Sequence, residues 1–343
     1  MSHSVRVHSI AIPISPEAAA SHVGNSVGGV GNGGSAGSAE KQTAGAVGVD
    51  HTLASPTSES AAGYVLAASL FLPDTASTAE PQPGAAIIGG PGPGPLSRSN
   101  ATGGKQWPLL WAQELAEAGL VALCYDQRGS GQSTGHYFDA DRDALYHDAE
   151  ATVDMLAAQP EVNQHALAAI AWDEGCGFAL QLAAAGKVHA LVLMAPPFYT
   201  AQERFTREIR RLAASRGLSE RVVQIRLSQW QRQMDSVAQQ VARGEQTTTV
   251  EVGNQKTVIN LARFLQNSRF DPAAVLPQVH IPVLILHGED DRAIPPEESA
   301  ALVAAKPAQR ITYPEAGHFL YNDRRVMRDA VAWLQETLGV QQA

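Results

Sequence analysis

Short apolar runs of strand length alternate with helical stretches from residue 85 to residue 338. Continuous apolar runs are typical of parallel strands that are covered on both faces, and an alternation of strand and helix favours right-handed crossover connections. The sequence therefore predicts an α/β fold with a mostly parallel, twisted sheet flanked by helices. The predicted strands span residues 85–88, 120–125, 166–171, 189–194, 281–286 and 309–313. The predicted helices span residues 107–118, 141–158, 296–305 and 324–338, with a further helix that ends near residue 185.

An N-terminal region, residues 1–62, stands outside this alternation. Residues 5–14 and 64–72 each alternate between apolar and polar side chains, and we expect them to pair as a hairpin. The stretch between them, residues 15–62, is rich in Gly, Ser, Ala, Asn and Thr. Such a composition buries too little apolar surface to offset the entropy lost on ordering. It predicts a flexible insertion.

A second interruption spans residues 198–273, which are mostly helical in pattern and rich in Gln and Arg. Only residues 247–252 have the character of a strand. This segment would divide the α/β core into residues 63–197 and 274–343. Its arginines are expected to form a solvated face, although inward-facing members would attract an anionic substrate. They are Arg204, Arg207, Arg210 and Arg211.

Charge and apolar patterning exclude several classes of protein. The formal net charge of −9 argues against a general nucleic-acid binder, and the absence of an apolar run of membrane-spanning length argues against a membrane protein. The two cysteines, Cys124 and Cys176, lie in apolar contexts that suit a reducing compartment. We therefore expect a cytoplasmic protein that acts on a small molecule. No Cys/His set has metal-ligand spacing and the Gly-rich turns lack a P-loop lysine, so no metal or cofactor is expected.

Residues 168–177 have the pattern of a buried strand, a sharp turn and the start of a helix. Asp173 lies at the tip of this turn, where its carboxylate would be exposed. Asp291 follows the strand at 281–286, and His318 follows the strand at 309–313. Because catalytic groups collect at the carboxyl ends of parallel strands, these three side chains are expected to converge. A nucleophile, a base and a group that orients the base are the parts that covalent hydrolysis requires.

The chain resembles the α/β-hydrolase superfamily over residues 64–338, excluding most of 198–273. Capped serine carboxylesterases and proline iminopeptidase relatives are the most similar in pattern. Four segments with the order and spacing of that superfamily carry the resemblance. They are residues 88–92 (IGGPG), 126–133 (DQRGSGQS), the elbow 171–175 (AWDEG), and 288–295 (GEDDRAIP) with Gly317-His318.

The resemblance implies a role for each matching residue. It implies that residues 198–273 form a helical cap inserted after the sixth strand. The catalytic residues would be Asp173 as nucleophile, Asp291 as orienting acid and His318 as base. The G-x-x-D spacing from Gly288 favours Asp291 over Asp290. The backbone N–H groups of Gly90 and Glu174 would form the oxyanion hole, and Trp172 and Tyr199 would line the substrate pocket.

An aspartate at the elbow changes the expected reaction. A carboxylate gains little by attacking an ester, whereas attack on an electrophilic saturated carbon would leave an alkyl ester that water can hydrolyse. Epoxide hydrolases and haloalkane dehalogenases work in this way. The chain has Glu174 where those families usually have tryptophan, which disfavours dehalogenation, and Tyr199 is the single tyrosine of residues 198–273.

Three hypotheses remain open at this point. The first is a cofactor-independent hydrolase that opens an epoxide or a similar electrophile on Asp173. The second is a lyase, isomerase or cyclase that uses Asp173 and His318 as acid and base. The third is a non-catalytic binding protein on a hydrolase fold. The identity of the substrate and the oligomeric state are not determined by the sequence.

Overall fold

The computed structural model describes residues 5–15, 63–90, 107–252 and 255–340. Its main feature is an eight-stranded sheet. The strands are β1 (Val5–Ile14), β2 (Tyr64–Pro73), β3 (Gln82–Ile88), β4 (Val121–Tyr125), β5 (Val162–Trp172), β6 (Ala190–Met194), β9 (Val283–Gly288) and β10 (Gln309–Tyr313). They lie in the order β1-β2-β4-β3-β5-β6-β9-β10. All neighbouring pairs from β4 to β10 in this order are parallel, as the apolar runs predict.

The first two strands pair antiparallel at one edge of the sheet, which confirms the predicted hairpin. The register runs from Val5 opposite Pro73 to Ile14 opposite Tyr64. β2 then pairs antiparallel with β4 and so joins the hairpin to the parallel part of the sheet. The predicted flexible insertion, residues 15–62, lies outside the described residues except for Ser15.

Helices cover both faces of the sheet and form two apolar layers. α1 (Trp107–Glu117) and α9 (Arg324–Leu338) pack on one face, where Trp111, Leu115, Val326 and Leu334 are fully buried. On the other face lie α2 (Arg142–Ala157), α3 (Glu174–Ala184) and α8 (Pro296–Ala305). α2 begins where the side chain of Asp141 accepts a hydrogen bond from the Ala144 N–H, which satisfies one of the free donors of its first turn.

The segment between β6 and β9 combines helices with a small hairpin. α4 (Ala201–Arg216) begins with a reciprocal capping box between Thr200 and Glu203. α5 (Glu220–Ala242), α6 (Leu261–Arg269) and the single turn α7 (Pro272–Val275) complete its helices. The predicted strand 247–252 is present as β7 (Thr247–Val252). Its antiparallel partner, β8 (Gln255–Asn260), is a strand that the sequence analysis missed.

Two sets of polar contacts hold this inserted segment against the core. At its start, Glu298 of α8 accepts the backbone N–H groups of Phe198 and Tyr199 and pairs with the Arg204 guanidinium at 2.7 Å. At its end, the Asn260 amide donates to the Phe138 carbonyl. Gln266 of α6 accepts from the Arg142 N–H and donates to Asp141 and Asp143 at the start of α2.

No helix among the described residues has both the length and the apolar character needed to cross a membrane.

Candidate active site

Asp173 lies at the junction of β5 and α3, in a turn that only a strained backbone can make. Its φ of 51° and ψ of −122° fall in a sparsely populated region. The Asp173 N–H donates to the Met194 carbonyl at 3.0 Å, and the Asp173 carbonyl accepts from the Cys176 N–H at 2.9 Å. Gly175 is required two residues later, because a Cβ there would lie 2.4 Å from the Gly89 carbonyl oxygen. The turn therefore presents the Asp173 carboxylate at the carboxyl edge of the sheet.

The structure brings the three predicted catalytic side chains into one hydrogen-bonded chain. His318, in the turn after β10, places Nε2 at 3.1 Å from the Asp173 Oδ2 and Nδ1 at 2.9 Å from the Asp291 Oδ2. The Asp173 side chain is 17% exposed, whereas that of Asp291 is completely buried. The outer carboxylate is thus open to a substrate, and the inner one is reserved for the imidazole.

Asp291 is held by its surroundings as an ionised hydrogen-bond acceptor. Its Oδ1 accepts the backbone N–H groups of Ala293 and Ile294, both at 2.9 Å, and His287 lies 3.4 Å from its Oδ2. Burial alone would raise the pKa of Asp291, but the hydrogen bonds from His287, His318 and Ile294 hold that pKa well below its usual range. Its neighbour Asp290, the alternative acid of the sequence, is exposed.

The two carboxylates fix the protonation state of His318. Ionised carboxylates only accept hydrogen bonds, so an imidazole between two of them needs an N–H on both nitrogens. Burial lowers the pKa of His318, but the hydrogen bonds and negative charges of Asp173 and Asp291 outweigh it and raise that pKa to about 9. The resting site therefore holds an imidazolium between two carboxylates.

Trp172 supports the histidine and contributes little surface to a pocket. It is 5% exposed, and its indole Nε1–H donates to the His318 carbonyl at 2.9 Å. Its ring lies 4.9 Å from the His318 ring and 4.8 Å from that of Tyr321, in each case between centroids. The indole also packs closely on Gly90, where a Cβ would lie 2.2 Å from the ring.

The residues predicted to form the oxyanion hole both lie beside the elbow. Gly90 follows β3, packs on Trp172 and accepts the Gln127 side-chain amide at 3.3 Å. Glu174 is the first residue of α3, so its N–H belongs to the helix end whose donors have no partner within the helix. Pro91, which follows Gly90 and has no N–H to donate, lies outside the described residues.

Tyr199 is the predicted pocket residue that the structure does not bring to Asp173 or His318. Its backbone N–H donates to Glu298 and its carbonyl accepts from Arg204, while its ring packs on Phe198 and makes a cation–π contact with Arg207 at 3.7 Å. These contacts belong to the anchor at the start of the inserted segment. Tyr199 therefore shows no described contact that would let it act as an acid beside Asp173.

Two polar residues near the site escaped the sequence analysis as functional candidates. His287, near the end of β9, is fully buried and also contacts Asp291. Its spacing of four residues from Asp291, across the end of β9, was the available signal. Asn267 of α6 donates from its amide to the Glu174 carboxylate, and no local sequence pattern connects these two residues. The described residues contain no group of three or more His, Cys, Asp and Glu arranged to hold a metal.

Comparison with known proteins identifies the family of this chain. A family model described as serine aminopeptidase, S33, matches residues 109–325. Among solved structures, a hypothetical protein of Pseudomonas aeruginosa, PA2218, is 21% identical with a TM-score of 0.60, over 80% of this chain and 90% of that one. Est1E of Butyrivibrio proteoclasticus, solved with ferulic acid bound, is 18% identical with a TM-score of 0.57, over 80% and 96%.

The α/β hydrolase GrgF of Penicillium sp. is likewise 18% identical, with a TM-score of 0.54 over 81% of this chain and 96% of that one. At such identities these structures show that the fold is shared, and they give no information about the substrate of this chain. The family description names a serine enzyme, whereas the elbow of this chain carries Asp173. By its family match, its strand order and its fold, the chain belongs to the serine aminopeptidase S33 family of α/β-hydrolases.

Proposed function

We propose that this protein is a hydrolase that uses Asp173 as a covalent nucleophile on an epoxide or a similar alkylating electrophile. The observation that carries the proposal is the hydrogen-bonded chain Asp291–His318–Asp173, in which a carboxylate occupies the elbow. An ionised carboxylate needs no base before it attacks. Attack on a saturated carbon gives a stable alkyl ester, which explains why a histidine would still be needed afterwards.

The imidazolium supplies the proton that ring opening requires. Asp173 attacks one epoxide carbon, the C–O bond breaks, and its electron pair goes to the epoxide oxygen. His318 transfers its Nε2 proton to that oxygen. The products of this step are a hydroxyalkyl ester on Asp173 and a neutral imidazole, so charge and protons balance. The histidine thereby performs the role that a cap tyrosine would otherwise perform.

The same step prepares His318 to act as a base. Esterification removes the negative charge of Asp173, which is one of the causes of the raised pKa of His318. The neutral imidazole then takes a proton from water while the water oxygen attacks the ester carbonyl. The N–H groups of Gly90 and Glu174 would stabilise the resulting oxyanion. Collapse of the intermediate breaks the ester C–O bond, and the departing alkoxide takes the proton of the newly added hydroxyl group. A diol leaves, Asp173 is again a carboxylate and now holds one oxygen from water, and His318 keeps the proton that it took from water.

Labelling with ¹⁸O-water in a single turnover tests the covalent route. Hydrolysis of the ester should leave ¹⁸O in the peptide that contains Asp173, as measured by mass spectrometry. Turnover without that label would contradict the proposal. An Asp173→Asn variant should lose at least about a thousandfold in turnover.

Asp290 and Asp291 form a matched pair of control variants. Asp291→Asn should lower turnover strongly, because an amide disturbs the tautomer and orientation of His318. Asp290→Asn should leave turnover within about twofold, because that carboxylate is exposed and does not contact the imidazole. Equal effects of the two substitutions would contradict the assigned role of Asp291. Esterase activity gained by Asp173→Ser would support the roles assigned to His318, Asp291 and the oxyanion hole.

A second function, acid–base catalysis without a covalent intermediate, is favoured by the resting proton on His318. In this alternative Asp173 takes a proton from the substrate while the imidazolium donates one, as a lyase, isomerase or cyclase would require. The product would then contain no oxygen from water, and Asp173 would stay unlabelled. The labelling experiment therefore separates the two functions.

We also propose that the inserted segment between β6 and β9 acts as a cap that limits access to Asp173. The support is the hydrogen bond from Asn267 of α6 to Glu174, the residue that follows Asp173. Replacing Asn267 with Ala should therefore change KM, while the free energy of unfolding should stay close to that of the wild type.

A further inference from the structure

His287 is the last residue of β9 that bears a side chain, and it precedes the loop that carries Asp291. It pairs with Thr312 of β10 in the parallel sheet, and its side chain is completely buried. Its Nε2 lies 2.9 Å from the Ile294 carbonyl oxygen and 3.4 Å from the Asp291 Oδ2. The imidazole therefore connects a strand inside the sheet with the far side of the Asp291 loop.

Hydrogen bonding determines which nitrogen of His287 carries the proton. The Ile294 carbonyl can only accept a hydrogen bond, so Nε2 must be the donor. Nδ1 is inaccessible to solvent and has no hydrogen-bond partner among the described residues. A proton on Nδ1 would be a buried donor without an acceptor, which is unfavourable. His287 is therefore an imidazole with a single N–H, on Nε2, and that N–H is shared between two acceptors.

The four contacts of Asp291 define one orientation of its carboxylate. Oδ1 accepts the backbone N–H groups of Ala293 and Ile294. Oδ2 faces two imidazoles, that of His318 at 2.9 Å and that of His287 at 3.4 Å. A carboxylate oxygen has two lone pairs, so both oxygens of Asp291 have a donor for each. Without the His287 N–H, Oδ2 would lose one of its two donors, and the Ile294 carbonyl would lose the donor that ties this loop to β9.

We propose that His287 is a positioning residue of the active site, whose Nε2–H holds the Asp291 carboxylate in the orientation that accepts from His318. The polar contacts of His287 lie on Asp291 and Ile294, so it acts on His318 through Asp291. Asp291 is one of the two carboxylates that raise the pKa of His318. A displaced Asp291 should therefore bring that pKa closer to its ordinary value. Only the effect on turnover rests on the proposed function.

Two amide substitutions at position 287 separate a correctly placed donor from polarity alone. The side-chain nitrogen of Gln can replace Nε2, whereas the shorter Asn side chain places its nitrogen near the position of Nδ1. The pKa of His318 should stay near 9 in His287→Gln. It should fall by about one pH unit in His287→Asn and in His287→Leu, because a weakened hydrogen bond favours the charged imidazole less. NMR titration of the His318 ring measures this pKa, and urea unfolding shows that each variant is folded.

His189→Leu is the matched control for loss of a histidine hydrogen bond elsewhere. His189 directly precedes β6, at the end of the sheet opposite the site, and its Nδ1 accepts the Leu167 N–H. This control should leave the pKa of His318 unchanged. If all three variants at position 287 have the same pKa of His318, whether equal to that of the wild type or lowered, the proposed role of His287 is wrong.

The wild type provides a second test that needs no variant. Long-range ¹H–¹⁵N correlation spectra report which ring nitrogen carries the proton. A single proton on the Nε2 of His287 is expected, because Nε2 faces both acceptors. A proton on Nδ1 instead would overturn the inference, even if the variants at this position did not fold.

Turnover separates this inference from the proposed function. With styrene oxide as the probe, His287→Asn should lower kcat by about ten- to a hundredfold with little change in KM, and His287→Gln should retain most of the activity. The expected pKa pattern without hydrolysis by the wild type would support the positioning role and remove this epoxide from the proposed function. Hydrolysis at equal rates by all variants, with an unchanged pKa of His318, would overturn the positioning role and leave the nucleophile in place.

Discussion

Two clusters of three polar side chains are buried in this molecule, and they are built in opposite ways. In the first, Arg128 forms two hydrogen bonds to Asp148 at 2.7 and 2.8 Å, and the Tyr64 hydroxyl donates to the same carboxylate. In the second, His318 joins Asp173 and Asp291. The Arg128 cluster holds β2, the loop after β4 and α2 together. The His318 cluster contains one member, Asp173, whose carboxylate has an exposed side.

The difference between the clusters lies in what each leaves unsatisfied. Both oxygens of Asp148 are engaged by groups that stay charged or hydroxylic at all ordinary pH values, because the pKa of Tyr64 is raised by burial and by Asp148. The pKa of His318 is instead about 9, so this group changes its charge within the accessible pH range. A closed network stabilises the fold, whereas a network with one open carboxylate and one titrating member can perform chemistry.

The largest effect on stability is expected in the closed network. Asp148→Ala leaves the Arg128 guanidinium buried without its partner and should lower the free energy of unfolding by about 3–5 kcal/mol. Urea unfolding measures this loss. Asp154→Ala is the matched control on the same helix, because its carboxylate is 54% exposed and pairs with Lys187 at the surface. That control should cost less than about 1 kcal/mol. Similar losses in both variants would show that the comparison is wrong.

The next effect is a pH dependence that belongs to the open network. The pKa of His318 is about 9 in the folded protein and 6.5 in the reference state, so its contribution is complete below pH 6.5 and is lost as the pH rises through 9. The contribution is on the order of 3 kcal/mol. Urea unfolding of the wild type and of His318→Gln between pH 6 and pH 10 should give two curves that converge at high pH. Parallel curves over this range would rule out the raised pKa.

The smallest effect concerns the support of the histidine. Trp172→Phe removes the indole N–H that donates to the His318 carbonyl, and should cost about 1 kcal/mol of stability. The substitution should lower kcat by a larger factor than it changes KM, because it removes a contact that positions His318 and does not alter the substrate pocket. Trp230→Phe is the control, since Trp230 stacks on Phe205 in the inserted segment. A kcat equal to that of the control would assign Trp172 to packing alone.

The regular elements and the hydrogen-bonded chain Asp291–His318–Asp173 follow from local patterns. The predicted bounds of α8, α9, β7 and β10 match the structure, because each element has a clear periodicity and defined ends. Strand-end positions sufficed to place Asp173, Asp291 and His318 together. β5 begins four residues earlier than predicted, since three exposed residues, 163–165, conceal the strand. β8 was missed although Gly253-Asn254 is a residue pair typical of hairpin loops.

The surroundings of Glu174 could not be derived in this way. Arg142 opens a core helix and Arg263 lies on α6, and only tertiary packing brings both near Glu174. The four arginines that the sequence singled out face elsewhere: Arg204 pairs with Glu298, Arg207 contacts Tyr199, and Arg210 and Arg211 pair with surface glutamates. Helical periodicity identifies which side of a helix is apolar, but it does not identify the surface that this side meets.

The register of the edge hairpin has a consequence for how this chain tolerates change. Ile14 and Tyr64 are directly opposed across β1 and β2, so the polypeptide returns to the point at which it departs. The entropy of closing such an excursion grows only slowly with its length. The pairing of β1 with β2 therefore fixes both ends of the stretch 16–62, and each doubling of its length should change the closure entropy by only about 0.6 kcal/mol. This edge of the sheet, opposite β10, is therefore where we expect insertions and deletions to disturb the fold least.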